Sequence, residues 1–177
     1  MSLVDAAESV ILVTPDDREV GLAGKLEAHR QGLLHRALSV VLRDSRGRTL
    51  LQKRHVGKYH SGGLWTNSCC SHPRAGEPVD EAARRRLREE MGIDCPLEFA
   101  LTVHYRAELD NAMIEHEVVH VFLGLYDGPV RPDPQEADGY DWIRPEALRA
   151  DIAASPDRYS FWFRKYCIEH WGRLRLD

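Results

Sequence analysis

The chain has 177 residues, 43% of them hydrophobic and 29% charged, and a formal charge of −4. That length suits one domain with a real core, in proportions ordinary for a soluble globular protein. The acidic balance excludes a general nucleic-acid footprint, and no apolar run approaches the ~18 residues of a membrane span.

The N-terminal MSLVDAAESVILV is acidic and lacks the basic start of a secretory leader. Ser9–Val13 reads as a strand closed by the turn-rich TPDD. Val20–His29 fits a strand or a short helix, and its pattern leaves both open. Leu34–Leu42 is rich in β-formers and ends at the turn DSRG, so Thr49–Arg54 is expected as the return strand of a hairpin. Lys53–Gly63 is a basic, glycine-rich loop, and Leu64–Cys70 reads as extended.

A helix is predicted between Gly76 and Gly92. Pro78 suits its first turn, Glu77, Asp80 and Glu81 complement the positive end of its dipole, and Gly92 suits the C-cap. At ~100° per residue, Val79, Ala82, Ala83 and Leu87 share one arc. Arg86 and Glu90 fall inside that arc, whereas Glu81, Arg84, Arg85 and Arg88 face away. An exposed i,i+4 pair contributes only ~0.3–0.5 kcal/mol, and burying two charges dry costs several kcal/mol. Arg86 and Glu90 are therefore read as lining a polar pocket.

Leu97–Leu109 reads as extended, Asp110–Asn111 as a turn, and Ile114–Leu125 as the clearest strand. Alternation puts Glu115, Glu117, Val119 and Val121 on one face and His116, Val118, His120 and Phe122 on the other. Asp127–Asp138 is loop, Gly139–Ile143 a short strand, Arg144–Ala153 a helix, and the aromatic tail from Pro156 helical. The sum is a mixed sheet flanked by helices, one domain over residues 1–177.

Two like charges on one strand face, Glu115 and Glu117, call for a cation between them. With histidines such as His29, His35 and His72 the donor types suit Mn²⁺, Zn²⁺ or Fe²⁺, and carboxylates alone suit Mg²⁺. Any single histidine has a simpler structural reading, and His55, His60, His104, His116, His120 and His170 are read that way. The four cysteines lack zinc-finger or disulfide-scaffold spacing, which suits a reducing, cytoplasmic setting. In an extended segment Cys69 and Cys70 point to opposite faces, and Cys70 shares its face with Ser68 and His72.

GE-x7-R-x-L-x-EE-x-GI, from Gly76 to Ile93, resembles the Nudix box, whose carboxylates hold Mg²⁺ against a diphosphate. Two positions depart from the hydrolase pattern: Arg86 stands where hydrolases carry glutamate, and Ser71 where they carry glycine. WTNSCCSHP, GLLHRALSV at Gly32–Val40 and the E-x-E of Glu115 and Glu117 are similar to type 1 isopentenyl-diphosphate isomerases, and the matching motifs run from Lys25 to Trp162. The resemblance implies an α/β (α+β) fold, a Nudix-type αβα sandwich with a mixed central sheet and N-terminal additions. It implies interconversion of isopentenyl and dimethylallyl diphosphate in isoprenoid biosynthesis. A monomer is expected, and the charge and hydropathy above lead to no nucleic-acid or membrane partner.

The same resemblance assigns Cys70, Glu117, Tyr105 and Trp162 to catalysis, and Lys25, Arg54, Lys58 and Arg86 to the diphosphate. His29, His35, His72, Glu115 and Glu117 would hold Mn²⁺ or Zn²⁺, and Glu90 with the Cys70 carbonyl would hold a substrate-bound Mg²⁺. No organic cofactor is implied. The rival reading, a Nudix hydrolase of a nucleoside diphosphate derivative, gives Cys70 no role. A catalytically inert diphosphate-binding module gives none to Cys70 or Glu117.

Overall fold

In the computed structural model, which describes residues 8–176, the sheet is organised around β3, His35–Arg43. Residues 1–7, the start of the acidic N-terminus, lie outside the described residues. Two shorter strands precede β3: β1 (Ser9–Val13) and β2 (Glu19–Gly24), paired antiparallel. Helix α1 (Lys25–Gln31) follows β2 directly, so the ambiguous stretch is a strand and then a helix. Gly32 ends α1 at φ 65, a left-handed conformation that favours glycine.

After β3 come β4 (Thr49–Arg54), β5 (Trp65–Thr66), β6 (Cys69–Ser71) and helix α2 (Val79–Met91). Then follow β7 (Glu98–Glu108), β8 (Ile114–Leu125), β9 (Ala137–Ile143), helix α3 (Pro145–Ala154) and helix α4 (Phe161–Glu169). The mixed sheet matches the expectation, but one pairing does not. β3 meets β4 only at Arg43↔Thr49, because its two edges are taken by β8 and β6. β4 pairs instead with β9 and β5.

Two registers position the chemistry. β8 runs parallel to β3 with His35 opposite Glu117. β6 runs antiparallel with Ser39 opposite Cys70. Partners in register project to the same sheet face, so a β3 histidine and a β8 carboxylate meet, as do a β3 serine and a β6 cysteine.

The sheet is covered on both faces. Ala82, Ala83, Leu87 and Met91 of α2 pack with Leu38, Val40, Leu42 and Phe122. On the other face, residues of α3 and α4 pack over Ala37, Val41, Val103, Val119 and Val121. Trp162, Phe163 and Tyr166 are at most 2% exposed. Burying each such aromatic stabilises by roughly 1.5–3 kcal/mol, so α4 is a firm mount for the two residues it sends into the site. No helix among the described residues is long and apolar enough to cross a membrane.

Candidate active site

Two layers of the fold bring four donors together. His29 comes from α1, His35 opens β3, His72 follows β6, and Glu117 lies on β8; one donor atom from each lies within 4.8 Å of all the others. Backbone carbonyls fix two of the rings. His29 Nδ1 donates to the Lys25 carbonyl at 2.8 Å and His35 Nδ1 to the Leu33 carbonyl at 2.7 Å. A neutral imidazole anchored through Nδ1–H presents the lone pair of Nε2. His35 Nε2 therefore faces Glu117 Oε1 at 3.3 Å without a hydrogen bond, and His72 Nδ1 is likewise buried and unpartnered. His72 Nε2 donates to the same Glu117 oxygen at 3.2 Å. The His35 lone pair aimed at a carboxylate and the unpartnered His72 Nδ1 are both relieved when a cation binds among these groups, so the residues fit a first-row divalent ion. Burial lowers His29 to about 3, with His72 and His35 adding repulsion, and lowers His72 to about 4 against the pull of Glu117.

Tyr105 on β7 lies opposite Glu117 in register, and its hydroxyl is 2.8 Å from Oε2 of both Glu115 and Glu117. One phenol proton cannot serve two carboxylates at once, so the trio shares protons. Burial and the neighbouring Glu117 hold Glu115 well above the usual carboxylate range. Burial also raises Glu117, but His35 and His72 outweigh it and hold that carboxylate well below. Glu115 leans to a second group of donors, with His29 and His60. His60, read from sequence as a structural histidine, is 2% exposed, with Nε2 3.5 Å from Glu115 Oε1.

Cys70 occupies the other side of the cavity, and Cys69 is fully buried in the opposite core, as the alternation requires. Ser68 does not share the Cys70 environment: its hydroxyl donates to the Leu50 carbonyl and accepts from the Leu42 N–H. The break between β5 and β6 turns Asn67 inward instead. The Cys70 thiol donates to Asn67 Oδ1 at 3.0 Å, while the Trp162 indole N–H donates to Cys70 Sγ at 3.0 Å. Ser39 Oγ lies 3.2 Å from the sulfur and 3.0 Å from the Tyr166 hydroxyl. Burial pushes the thiol up to about 12, although Ser39 and Asn67 pull the other way.

Lys25, Arg54, Lys58 and Arg86 also line this cavity. Arg86 and Glu90 are both a salt bridge and pocket wall: the guanidinium contacts Glu90 at 2.8 Å, Glu89 at 2.8 Å and Glu136 at 3.2 Å. Burial disfavours its charge, but those carboxylates raise its pKa on balance. Gln52 donates to the second oxygen of Glu90 at 3.0 Å. Glu136 also pairs with Lys58, and Glu8 pairs with Lys25 at 2.9 Å. Arg54 lies 5.2 Å from the Trp162 ring centroid.

All thirteen residues proposed from sequence thus come to one place; His29 and His35 stand behind the cavity wall that the other eleven line. Sequence reading missed His60, Glu136, Asn67 and Ser39. Glu136 sits in a proline-rich loop with no periodicity, and Asn67 lies at a strand break. Neither carries a local signal, although each lies beside a motif that does.

Residues 33–163 match the NUDIX domain family. The chain is 52% identical over 155 residues to isopentenyl-diphosphate Delta-isomerase 2 of Aromatoleum aromaticum, covering 88% of this chain and 82% of that one. It is 47% identical over 174 residues to the enzyme of the same name from Photorhabdus laumondii, covering 94% and 98%. The structure of DR0079 from Deinococcus radiodurans superposes with a TM-score of 0.75 at 22% identity, covering 89% of this chain and 96% of that one. A MutT protein from Methanosarcina mazei gives 0.64 at 19% identity, covering 81% and 93%. These two likenesses speak to the fold.

Proposed function

Since the chain belongs to the NUDIX domain family and, within it, to the isopentenyl-diphosphate Delta-isomerases, we propose how its residues interconvert isopentenyl and dimethylallyl diphosphate. The reaction adds a proton to the terminal CH₂ carbon and leaves a tertiary cation at C3. Loss of a proton from C2 then forms the new double bond, so composition is unchanged. Such chemistry needs an acid on one side of the alkene, a base on the other, and a surface that tolerates positive charge between them.

The observation that carries the reading is the pair of polar anchors across one cavity. Tyr105 holds Glu117, the proposed acid, and Trp162 holds Cys70, the proposed base. A tertiary cation near the indole face gains roughly 2 kcal/mol or more when desolvated. As thiolate, Cys70 would keep the Trp162 N–H and the Ser39 hydroxyl as donors. One forward turnover leaves a thiol on Cys70 and a carboxylate on Glu117. Resetting this state moves one proton off Cys70 and one onto Glu117.

Lys25, Arg54, Lys58 and Arg86 are the proposed diphosphate contacts. Glu8 pairs with Lys25 and Glu136 with Lys58 and Arg86, so three of the four are held by ion pairs, and phosphate oxygens would compete for the same cations. Glu90 and the Cys70 carbonyl are the proposed contacts for a substrate-borne Mg²⁺. His29, His35, His72, Glu115 and Glu117 are proposed to hold a divalent ion, Mn²⁺ or Zn²⁺, which when bound supplies positive charge beside the acid. A guanidinium at Arg86 cannot act as a base, which disfavours diphosphate hydrolysis.

The test is turnover of isopentenyl diphosphate in D₂O with Mg²⁺ present. The expected product is dimethylallyl diphosphate with deuterium in a methyl group and no released phosphate. Phosphate release without isomerisation would overturn the reading.

A further inference from the structure

The donors do not stop at the five residues named by motif. The loop between β4 and β5, which reads in sequence only as basic and glycine-rich, is folded tightly enough to drive an imidazole inward. Ser61 sits at φ 52, a left-handed conformation that non-glycine residues rarely hold unless the surroundings impose it. Its N–H donates to Asp110 Oδ1 at 2.8 Å. Asn111 donates to the Tyr59 carbonyl at 3.0 Å, and Arg54 to the His60 carbonyl at 3.3 Å. A Cβ on Gly62 would lie 2.4 Å from the Val56 carbonyl oxygen, so the chain folds closely on itself there. Contacts from two other parts of the fold therefore clamp the residues flanking His60.

The clamped ring points at the donor cluster. One donor atom each from His29, His60 and Glu115 lies within 4.8 Å of the other two, and all three residues are buried. The His60 ring stacks beside that of His29 at 5.4 Å between centroids and 24° between planes. Its Nδ1 is 3.3 Å from Ser61 Oγ, which leaves Nε2 on the side of Glu115 Oε1. The other oxygen of Glu115 is taken by Tyr105. Hence Oε1 of Glu115, the Nε2 edge of His29, which also has the Tyr59 hydroxyl at a long 3.4 Å, and the Nε2 edge of His60 lie together, an arrangement that suits a cation better than a hydrogen-bonded pair alone.

We propose that His60 is a nitrogen donor to the same divalent ion as His29 and Glu115, completing its coordination on the side away from His35 and His72. This rests on the reading of the His/Glu cluster as a divalent-metal centre. It makes the β4–β5 loop part of that centre, so the loop that brings Lys58 and Arg54 to the cavity is also tied to the metal. Six donors of nitrogen and oxygen type suit six-coordinate first-row ions.

The experiment titrates Co²⁺ into the full-length, chelator-treated protein and its variants, reading affinity and the visible d–d bands without any turnover. Wild type and His104→Ala, which alters an exposed histidine, should take up Co²⁺ alike. Removing even a partner of a metal ligand typically weakens affinity 10- to 100-fold. His60→Ala should therefore weaken Co²⁺ binding by about 100-fold or more and change the band pattern as a nitrogen donor is lost. Should His60→Ala fail to fold by circular dichroism, His60→Gln, which keeps most of the bulk, is judged by the same two readouts. Unchanged affinity and unchanged bands would overturn the role of His60 while leaving the metal centre standing. Weaker binding with unchanged bands would also overturn it, making His60 a partner of Glu115 instead. A wild-type protein that takes up no Co²⁺ would overturn the metal centre and this inference together.

Discussion

The indole N–H of Trp162 donates to the sulfur of Cys70 at 3.0 Å, joining helix α4 to the three-residue strand β6. The cation-stabilising role proposed above for Trp162 uses its ring face, and this bond offers a second role through its edge. The bond matters more to a thiolate than to a thiol, since hydrogen bonds to charged acceptors contribute roughly 1.5–3 kcal/mol. Trp162→Phe keeps an aromatic face but removes the donor. It should lower kcat by about 10- to 150-fold with little change in KM. It should also shift the onset of Cys70 alkylation to higher pH. A wild-type kcat in Trp162→Phe would remove the edge from the mechanism.

The two adjacent cysteines should separate cleanly. Cys70→Ala is expected to abolish isomerisation while retaining binding of a non-reactive diphosphate analogue. Cys69, on β6, is fully buried in the apolar cluster beneath α2. Cys69→Ala should retain most activity and lose about 1 kcal/mol of stability, a fall of roughly 2–4 °C in Tm for a domain of this size. Activity assays and thermal melts of both variants decide the matter; equal loss of activity would show the assignment to be wrong.

Acid should unfold the metal-free protein through its buried histidines. Burial holds His29 at about 3 and His72 at about 4 in the native chain, and lowers His60 as well, against about 6.5 in an unfolded one. Between those values the unfolded state binds more protons, so stability is present above about pH 6.5 and lost as pH falls. Glu115, raised by burial and by Glu117, runs the other way, because above pH ~4.5 it keeps a proton that the unfolded chain releases. The balance is a net uptake of about two protons on unfolding near pH ~5.5, or roughly 2–3 kcal/mol per pH unit there, and much less near pH ~6.5, where an unfolded histidine is only half protonated. Urea midpoints at pH 7, 6 and 5 measure it, and His29→Gln should flatten the slope. A midpoint constant over that range would contradict the neutral, buried state of these rings.

Arg86 needs a gentler probe than alanine. Glu90 is 3% exposed and Glu136 shares the same guanidinium, so Arg86→Ala strands buried charge and should destabilise by about 3–5 kcal/mol. Arg86→Lys keeps the charge and loses the fork that reaches two groups at once. It should fold normally and weaken calorimetric binding of a non-reactive diphosphate analogue, with Mg²⁺ present, by about 10- to 150-fold. Unchanged affinity in the lysine variant would reduce Arg86 to a structural ion pair.

Much of this was legible in the chain because the relevant signals are local. The alternation of Ile114–Leu125 put Glu115 and Glu117 on one face, and the structure keeps both on one side beneath Tyr105. The turn and cap residues around Val79–Met91 located the helix, and its period brought Arg86 and Glu90 to the cavity. A period of 2 or 3.6 residues follows from backbone geometry alone, so it survives without knowledge of the fold. The motif resemblance supplied the residues that periodicity could not link, from Lys25 to Trp162.

What lay beyond reach was partnership across distance. Nothing in Thr49–Arg54 says that it will leave β3 for β9, because main-chain hydrogen bonds look the same whichever strand supplies them. Nothing near Asn67 says that it, and not Ser68, will meet Cys70; one residue at a strand break reversed the face that strict alternation assigns. Glu136 became the counter-ion of Lys58 and Arg86, and His60 a neighbour of Glu115, only when loops closed onto the sheet. The sequence by itself determined which side chains carry the chemistry and which faces of their own elements they occupy. Tertiary structure decided which of them touch, because burial removes water and makes each charged or polar atom take its partner from whatever the fold brings within about 3 Å.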